Sequence, residues 1–111
     1  HFPEDVSEVR ITWGKRPPRT RRRRRSIRLR TYTREQRLVR IHPALDQPEV
    51  PRFFVAFVVF HELLHHVIPA RERGRRTEYH PPEFRRRERA HPDYRRATAW
   101  EAAHLDLLLA F

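Results

Sequence analysis

Cysteine and methionine are both absent from this chain of 111 residues. Without cysteine no disulfide can form, and any metal site built on thiolates is excluded. That absence fits a reducing compartment, and a cytoplasmic setting is the expectation. Without methionine, His1 is not an initiator, so the chain reads as trimmed from a longer product and its lack of a leader carries no weight. Lysine is nearly missing as well, with Lys15 alone against 24 arginines. Long apolar runs are lacking too. The longest, Phe53 to Phe60, is far too short to cross a bilayer, and no membrane partner is expected.

What is present suits one domain spanning residues 1–111 with a single modest core. The formal net charge is +11. Arginine offers a flat fork of donors that grips phosphates and carboxylates in pairs. A field this positive attracts polyanions, or else it is a solvated surface. The densest run is Arg21, Arg22, Arg23, Arg24 and Arg25, and Arg85, Arg86, Arg87 and Arg89 form a second group. No aromatic residues are interleaved with either run. Contact with nucleic acid would therefore be non-specific and made through phosphates rather than by base stacking.

Alternation of apolar and polar residues marks three short strands, at Val9 to Trp13, Ile27 to Arg30 and Arg37 to Ile41. Gly14 ends the first. The Arg-rich connection that follows is expected to form an exposed hairpin loop in a small antiparallel sheet. Between Pro51 and Pro69 no breaker occurs, and that length favours a helix over a strand although the residues are aromatic and β-branched. Proline suits the first turn of a helix and stops its end. This helix is apolar nearly all round and should be central. Ala70 to Tyr79 reads as a charged loop. Pro81-Pro82-Glu83 opens a helix that runs to about Ala90, and His91-Pro92 breaks it. A last helix follows from Tyr94 to Phe111, with Ala97, Trp100, Leu105, Leu108 and Leu109 as its packing residues. Strands followed by helices make the class α+β.

The chemistry lies at the end of the central helix, in His61-Glu62-Leu63-Leu64-His65. Residues four apart share a helix face, so both imidazoles can reach one ion. Zinc takes histidine nitrogens readily, and a catalytic zinc keeps three protein ligands and an open position. Glu62 lies near the same face and can take a proton from a zinc-bound water, then deliver it to a leaving amine. A histidine and a glutamate buried for no purpose would be costly to desolvate. The third ligand is best sought at His80, just ahead of a helix start. His91, Glu101, His104, Glu78 and Glu83 are rivals. His66 points about 100° away from His65 and belongs to the surface or to a supporting shell.

Tyr79 and Tyr94 could stabilise an oxyanion but are more often packing residues. Trp13 and Trp100 read as core, and His42 as a polar residue at the end of a strand.

His61-Glu62-Leu63-Leu64-His65, followed by His80-Pro81-Pro82-Glu83-Phe84, resembles the SprT-like (Spartan-type) metalloprotease family. That family carries His-Glu-x-x-His and then His-Gly-x-x-Phe. Trp13-Gly14, Ile41-His42-Pro43-Ala44-Leu45 and Val50-Pro51 are also similar to the family, and the related minimal zincins share the layout. The resemblance spans about Val9 to Tyr94. It implies His61, His65 and His80 as zinc ligands, Glu62 as general base, a small sheet over the active-site helix, and peptide-bond hydrolysis of protein substrates. In the best-known members those substrates are crosslinked to DNA. Pro81 stands where the family has glycine, and proline is sterically sound at the start of a helix. No cysteine exists to build the zinc ribbon that often follows the protease domain.

Two other readings are compatible with these residues. One is a non-catalytic basic module that binds nucleic acid and holds a structural zinc. The other is a zinc hydrolase acting on something other than a peptide.

Overall fold

The computed structural model describes residues 4, 6–14 and 30–110. Three strands form the main sheet: β1 (Arg10–Trp13), β2 (Arg30–Thr33) and β3 (Leu38–Ile41). Their spatial order is β1-β3-β2, so the last strand in sequence is central. β2 and β3 form an antiparallel hairpin, but β1 lies parallel to β3. This corrects the expectation of an all-antiparallel sheet. It also removes the hairpin expected between the first two strands, because they occupy opposite edges. Trp13 and Arg30 both pair with Ile41, so the connection between β1 and β2 leaves and returns at one end of the sheet. Arg21 to Arg25 lie outside the described residues, as do Ile27 to Leu29 of the expected second strand.

Alternation decides what β3 buries. Val39 and Ile41 face the core while Arg40 between them is exposed. β1 is exposed along its whole length, and Trp13 keeps 47% of its surface open. The expected core role of Trp13 is therefore not realised, since on this edge strand no element among the described residues covers its ring. Arg37 closes the β2–β3 turn at φ 48°, in the left-handed region that costs a non-glycine residue about 1–2 kcal/mol. Its carbonyl accepts from the Arg10 amide at 2.9 Å and its guanidinium pairs with Glu8, so the turn is tied to the start of β1.

α1 runs from Arg52 to Val67. Pro51 sits at its N-cap in extended conformation, and its carbonyl accepts from the Phe54 and Val55 amides. Pro69 explains the other end. A residue before proline is driven out of the helical region, and Ile68 has φ −117° and ψ 93°. Phe54, Val58 and Leu64 are fully buried and join Val39, Phe84, Ala97 and Leu108 in one core. α1 thus packs on the sheet with one side and on the later helices with another. No helix among the described residues is long and apolar enough to cross a membrane.

After α1 comes a two-stranded hairpin, β4 (Arg71–Arg73) and β5 (Arg76–Glu78), where only a charged loop was expected. Its signal is electrostatic rather than hydrophobic. Arg71 faces Glu78 across the strands and bonds it at 3.1 Å, and Thr77 bonds Glu72 at 3.2 Å. Gly74 supplies the positive φ, 59°, that the turn requires.

α2 spans Pro82–Arg89 and α3 spans Tyr94–Ala103. The expected last helix breaks at His104, and α4 (Leu105–Leu109) continues at a new angle. The His104 ring folds back, stacks on Trp100 at 4.4 Å and bonds the Trp100 carbonyl through Nδ1. Trp100 in turn packs on Phe54. The break turns Leu108 and Leu109 inward and leaves Leu105 46% exposed, so Leu105 is not the packing residue expected.

Candidate metal centre

Two elements and one loop end meet at the C-terminal half of α1. His61 and His65 lie one turn apart on the helix, with ring centroids 5.0 Å apart. The β4–β5 hairpin reverses the chain and returns it to α1, where His80 is the second residue beyond β5. His80 then lies 5.3 Å from His61 and 4.9 Å from His65, measured between ring centroids. Candidate ligand nitrogens of the three histidines all fall within 4.8 Å of one another.

α2 starts immediately after His80 and supplies the floor. Pro81 is buried at its N-cap, and Phe84, only 1% exposed, lies against all three imidazoles at 4.6–5.1 Å. One turn further along the same face of α2, Glu88 meets His61 Nδ1 through Oε2. Both side chains are largely withdrawn from solvent. With Nδ1 occupied by a carboxylate, His61 is left with Nε2 for a metal, the arrangement that fixes the tautomer and raises the basicity of histidine ligands. Glu88 was not anticipated from the sequence. Its signal was present in the four-residue spacing from Phe84, which places it on the face that looks at the motif.

The donor set fits zinc. Nitrogens sharing one zinc at about 2.0–2.1 Å lie no more than about 4.2 Å apart, so a small rotation of the rings closes the cluster. Among the described residues no fourth histidine or carboxylate joins it. Three imidazoles on an apolar floor make the ligand count of an open site, where a structural zinc is typically closed by four.

Glu62 is 4% exposed and is the one charged side chain in the buried set among the described residues. It follows His61 directly and precedes His65 by three positions, so its Cβ lies close to the face that bears the cluster. The rivals for the third ligand sit elsewhere. Glu78 bonds Arg71, Glu83 is exposed in the first turn of α2, and His104 stacks on Trp100. Glu101 is on α3 and outside the cluster. His91 caps the start of α3 by accepting from the Asp93 amide at 3.0 Å, with its ring against Phe57 and Phe60. Partial burial there lowers its pKa from the usual value.

The remaining candidates have structural duties. His42 Nδ1 accepts from the Ala44 amide at 3.0 Å and caps the short turn of 3-10 helix Pro43–Leu45. His66 bonds the Tyr32 hydroxyl at 2.7 Å and thereby ties α1 to β2. Partial burial holds that hydroxyl above its ordinary pKa. Tyr94 packs beside Phe57, while Tyr79 is exposed. Neither family models nor curated proteins nor solved structures provide a match to this chain. The chemistry of the site's own residues therefore carries the functional argument.

Proposed function

We propose that this chain is a zinc-dependent endopeptidase of SprT-like type, with His61, His65 and His80 as the metal ligands and Glu62 as the general base. The observation that carries the reading is the convergence of the three imidazoles around the buried Glu62 helix, supported from outside by Glu88.

When bound, zinc supplies Lewis acidity toward water and toward the carbonyl of the scissile bond. The protein's part is positional and acid–base. α1 holds His61 and His65 in fixed register, and Phe84 limits the rotation of all three rings. The Nδ1–H of His61 donates to Glu88, which keeps Nε2 unprotonated as a donor to the metal. Glu62 takes the proton of the attacking water and passes it to the nitrogen of the departing amine. Its carboxylate is withdrawn from bulk water, which keeps that proton local. An extended substrate can add its backbone to an edge of the sheet, an attachment that gives affinity without sequence choice. The three-nitrogen ligand set favours this hydrolytic reading over a basic module with a structural zinc.

The test joins metal analysis to peptide hydrolysis. We expect one zinc per chain, cleavage that disappears on chelation and returns with zinc, and Glu62→Gln that retains zinc but loses about 10²–10⁴-fold in rate. Wild-type turnover by Glu62→Gln would remove Glu62 from the mechanism. Zinc retained after His80→Ala at unchanged affinity would remove His80 from the ligand set.

A further inference from the structure

Beside His80 lies an open cavity of about 390 Å³ lined by Glu78, His80, Pro82, Arg85, Arg86 and Arg89. Helical geometry explains the gathering. Arg85 and Arg86 follow Pro82 by three and four positions, and Arg89 follows Arg85 by four, so all share one side of α2. That side is turned away from Phe84 and Glu88, which face the histidines.

Four arginines crowd α2, but they are not equivalent. Arg87 is neutralised by two hydrogen bonds to Glu4, at 2.6 and 2.9 Å. Glu88 is committed to His61. Glu78, the one acid in the lining, is engaged by Arg71 at 3.1 Å and Arg73 at 3.7 Å. Among the described residues no ion pair joins an acid to Arg85, Arg86 or Arg89. Like charges one turn apart repel and lower helix stability. Three such cations without counter-charge therefore hold an uncompensated positive field on the wall of a cavity that shares His80 with the metal cluster.

We propose that this cavity is a substrate subsite for a carboxylate, so that the chain selects peptides bearing Asp or Glu close to the bond at the metal centre. The inference rests on the peptidase reading and adds the selectivity that main-chain pairing lacks. Guanidinium forks match a carboxylate in bidentate fashion, and one carboxylate can be shared by two of them across the cavity. A peptide side chain is favoured over a nucleic acid by size, since the cavity measures about 390 Å³, room for a few side chains rather than a polymer track.

The experiment uses the zinc-loaded chain carrying Glu62→Gln, so that peptides bind without being cut. Three fluorescein-labelled peptides of one length, with a central Asp-Glu, Asn-Gln or Lys-Lys pair, are titrated by fluorescence anisotropy, with a labelled oligothymidine alongside. The Asp-Glu peptide should bind about tenfold more tightly than its amide counterpart, the effect of a charge-assisted hydrogen bond. Arg85→Gln together with Arg89→Gln should erase that preference while zinc content and binding of the Asn-Gln peptide stay unchanged. Equal affinity for the acidic and amide peptides overturns the subsite, and this comparison needs no variant at α2. A preference that survives the double substitution overturns it as well. So does a double substitution that weakens only oligothymidine. Cleavage by the otherwise unaltered enzyme separates the two readings. Peptides cut without acidic preference refute the subsite and leave the peptidase standing. An arginine-dependent preference in binding, with no peptide cut by the wild-type chain, supports the subsite and refutes the peptidase.

Discussion

Glu88 is the residue on which the metal affinity of the cluster should most depend outside the ligands themselves. It accepts from His61 Nδ1, and both groups are shielded from solvent. Replacing the carboxylate with an amide keeps the shape but removes the charge that strengthens the imidazole as a donor. Glu88→Gln should weaken zinc binding by about 10–100-fold, read by competition with a chromophoric chelator, with the fold unchanged by circular dichroism. Unaltered affinity would reduce Glu88 to a packing role. His91 makes a separate prediction about pH. Burial depresses its pKa, and its Nδ1 accepts from the Asp93 amide, a bond that protonation would abolish. The unfolded chain takes the proton near the usual value of 6.5, before the folded chain does. The stabilising contribution is therefore complete above that pH, and it is lost progressively as the pH falls toward the lower folded value. His91→Asn keeps an acceptor for Asp93 but has nothing to titrate. Its urea midpoint in metal-free protein should fall less than that of the wild type between about pH 7.5 and 5.5. Equal falls would show that His91 does not contribute to the acid sensitivity. At this scale the histidine cluster was legible because His61, His65 and His80 are marked by spacing and by the prolines after His80. Glu88 was not, because its role depends on how α2 docks against α1.

Among the elements, α1 matters most, and its C-terminal turn carries His65. The carbonyls of a last helical turn lack partners within the helix. Arg34, in the β2–β3 turn, fills that need by donating to the His65 carbonyl at 2.6 Å and reaching the His66 carbonyl at 3.4 Å. Tyr32 clamps the same turn through His66. Arg34→Met keeps the aliphatic stem and removes the donors. It should lower the urea midpoint by an amount equal to about 1 kcal/mol and weaken zinc binding, because the turn that bears His65 is then free to fray. A variant that loses stability with no change in zinc affinity would uncouple the turn from the site. The course of α1 could be read from its two prolines, since chain stiffness acts locally. The parallel pairing of β1 with β3 could not, because alternation reports which face is buried and says nothing about strand order. The β4–β5 hairpin escaped for a related reason. Its strands are wholly polar, so they offer no periodicity, and their cohesion comes from pairs such as Arg71 with Glu78. The break at His104 depends on a ring folding back onto Trp100, which no spacing rule reports.

For the whole molecule, a net charge of +11 on 111 residues is large enough to govern encounters with polyanions whatever the site does. Arg21 to Arg25 are the longest unbroken contribution to that charge, and in sequence they fall between β1 and β2, the two edge strands. Phosphates neutralised by such a run release counterions, so affinity for DNA or RNA should fall steeply with salt, with a log–log slope of about −0.7 to −0.9 per phosphate contacted. Binding should be indifferent to sequence, because the run offers no aromatic platform for bases. Replacing Arg21 to Arg25 with serine should flatten the slope. Zinc content and thermal stability should stay as they were, since the run offers no apolar side chain to a core and no histidine to a metal. The measurement is anisotropy of a labelled oligonucleotide across a salt series, with zinc analysis of both proteins. Binding undetectable at low salt, or a slope indifferent to the five substitutions, would make the run a solvated surface. In either case the proposed hydrolytic reading is untouched, because it draws only on the groups gathered on α1, His80 and Glu88.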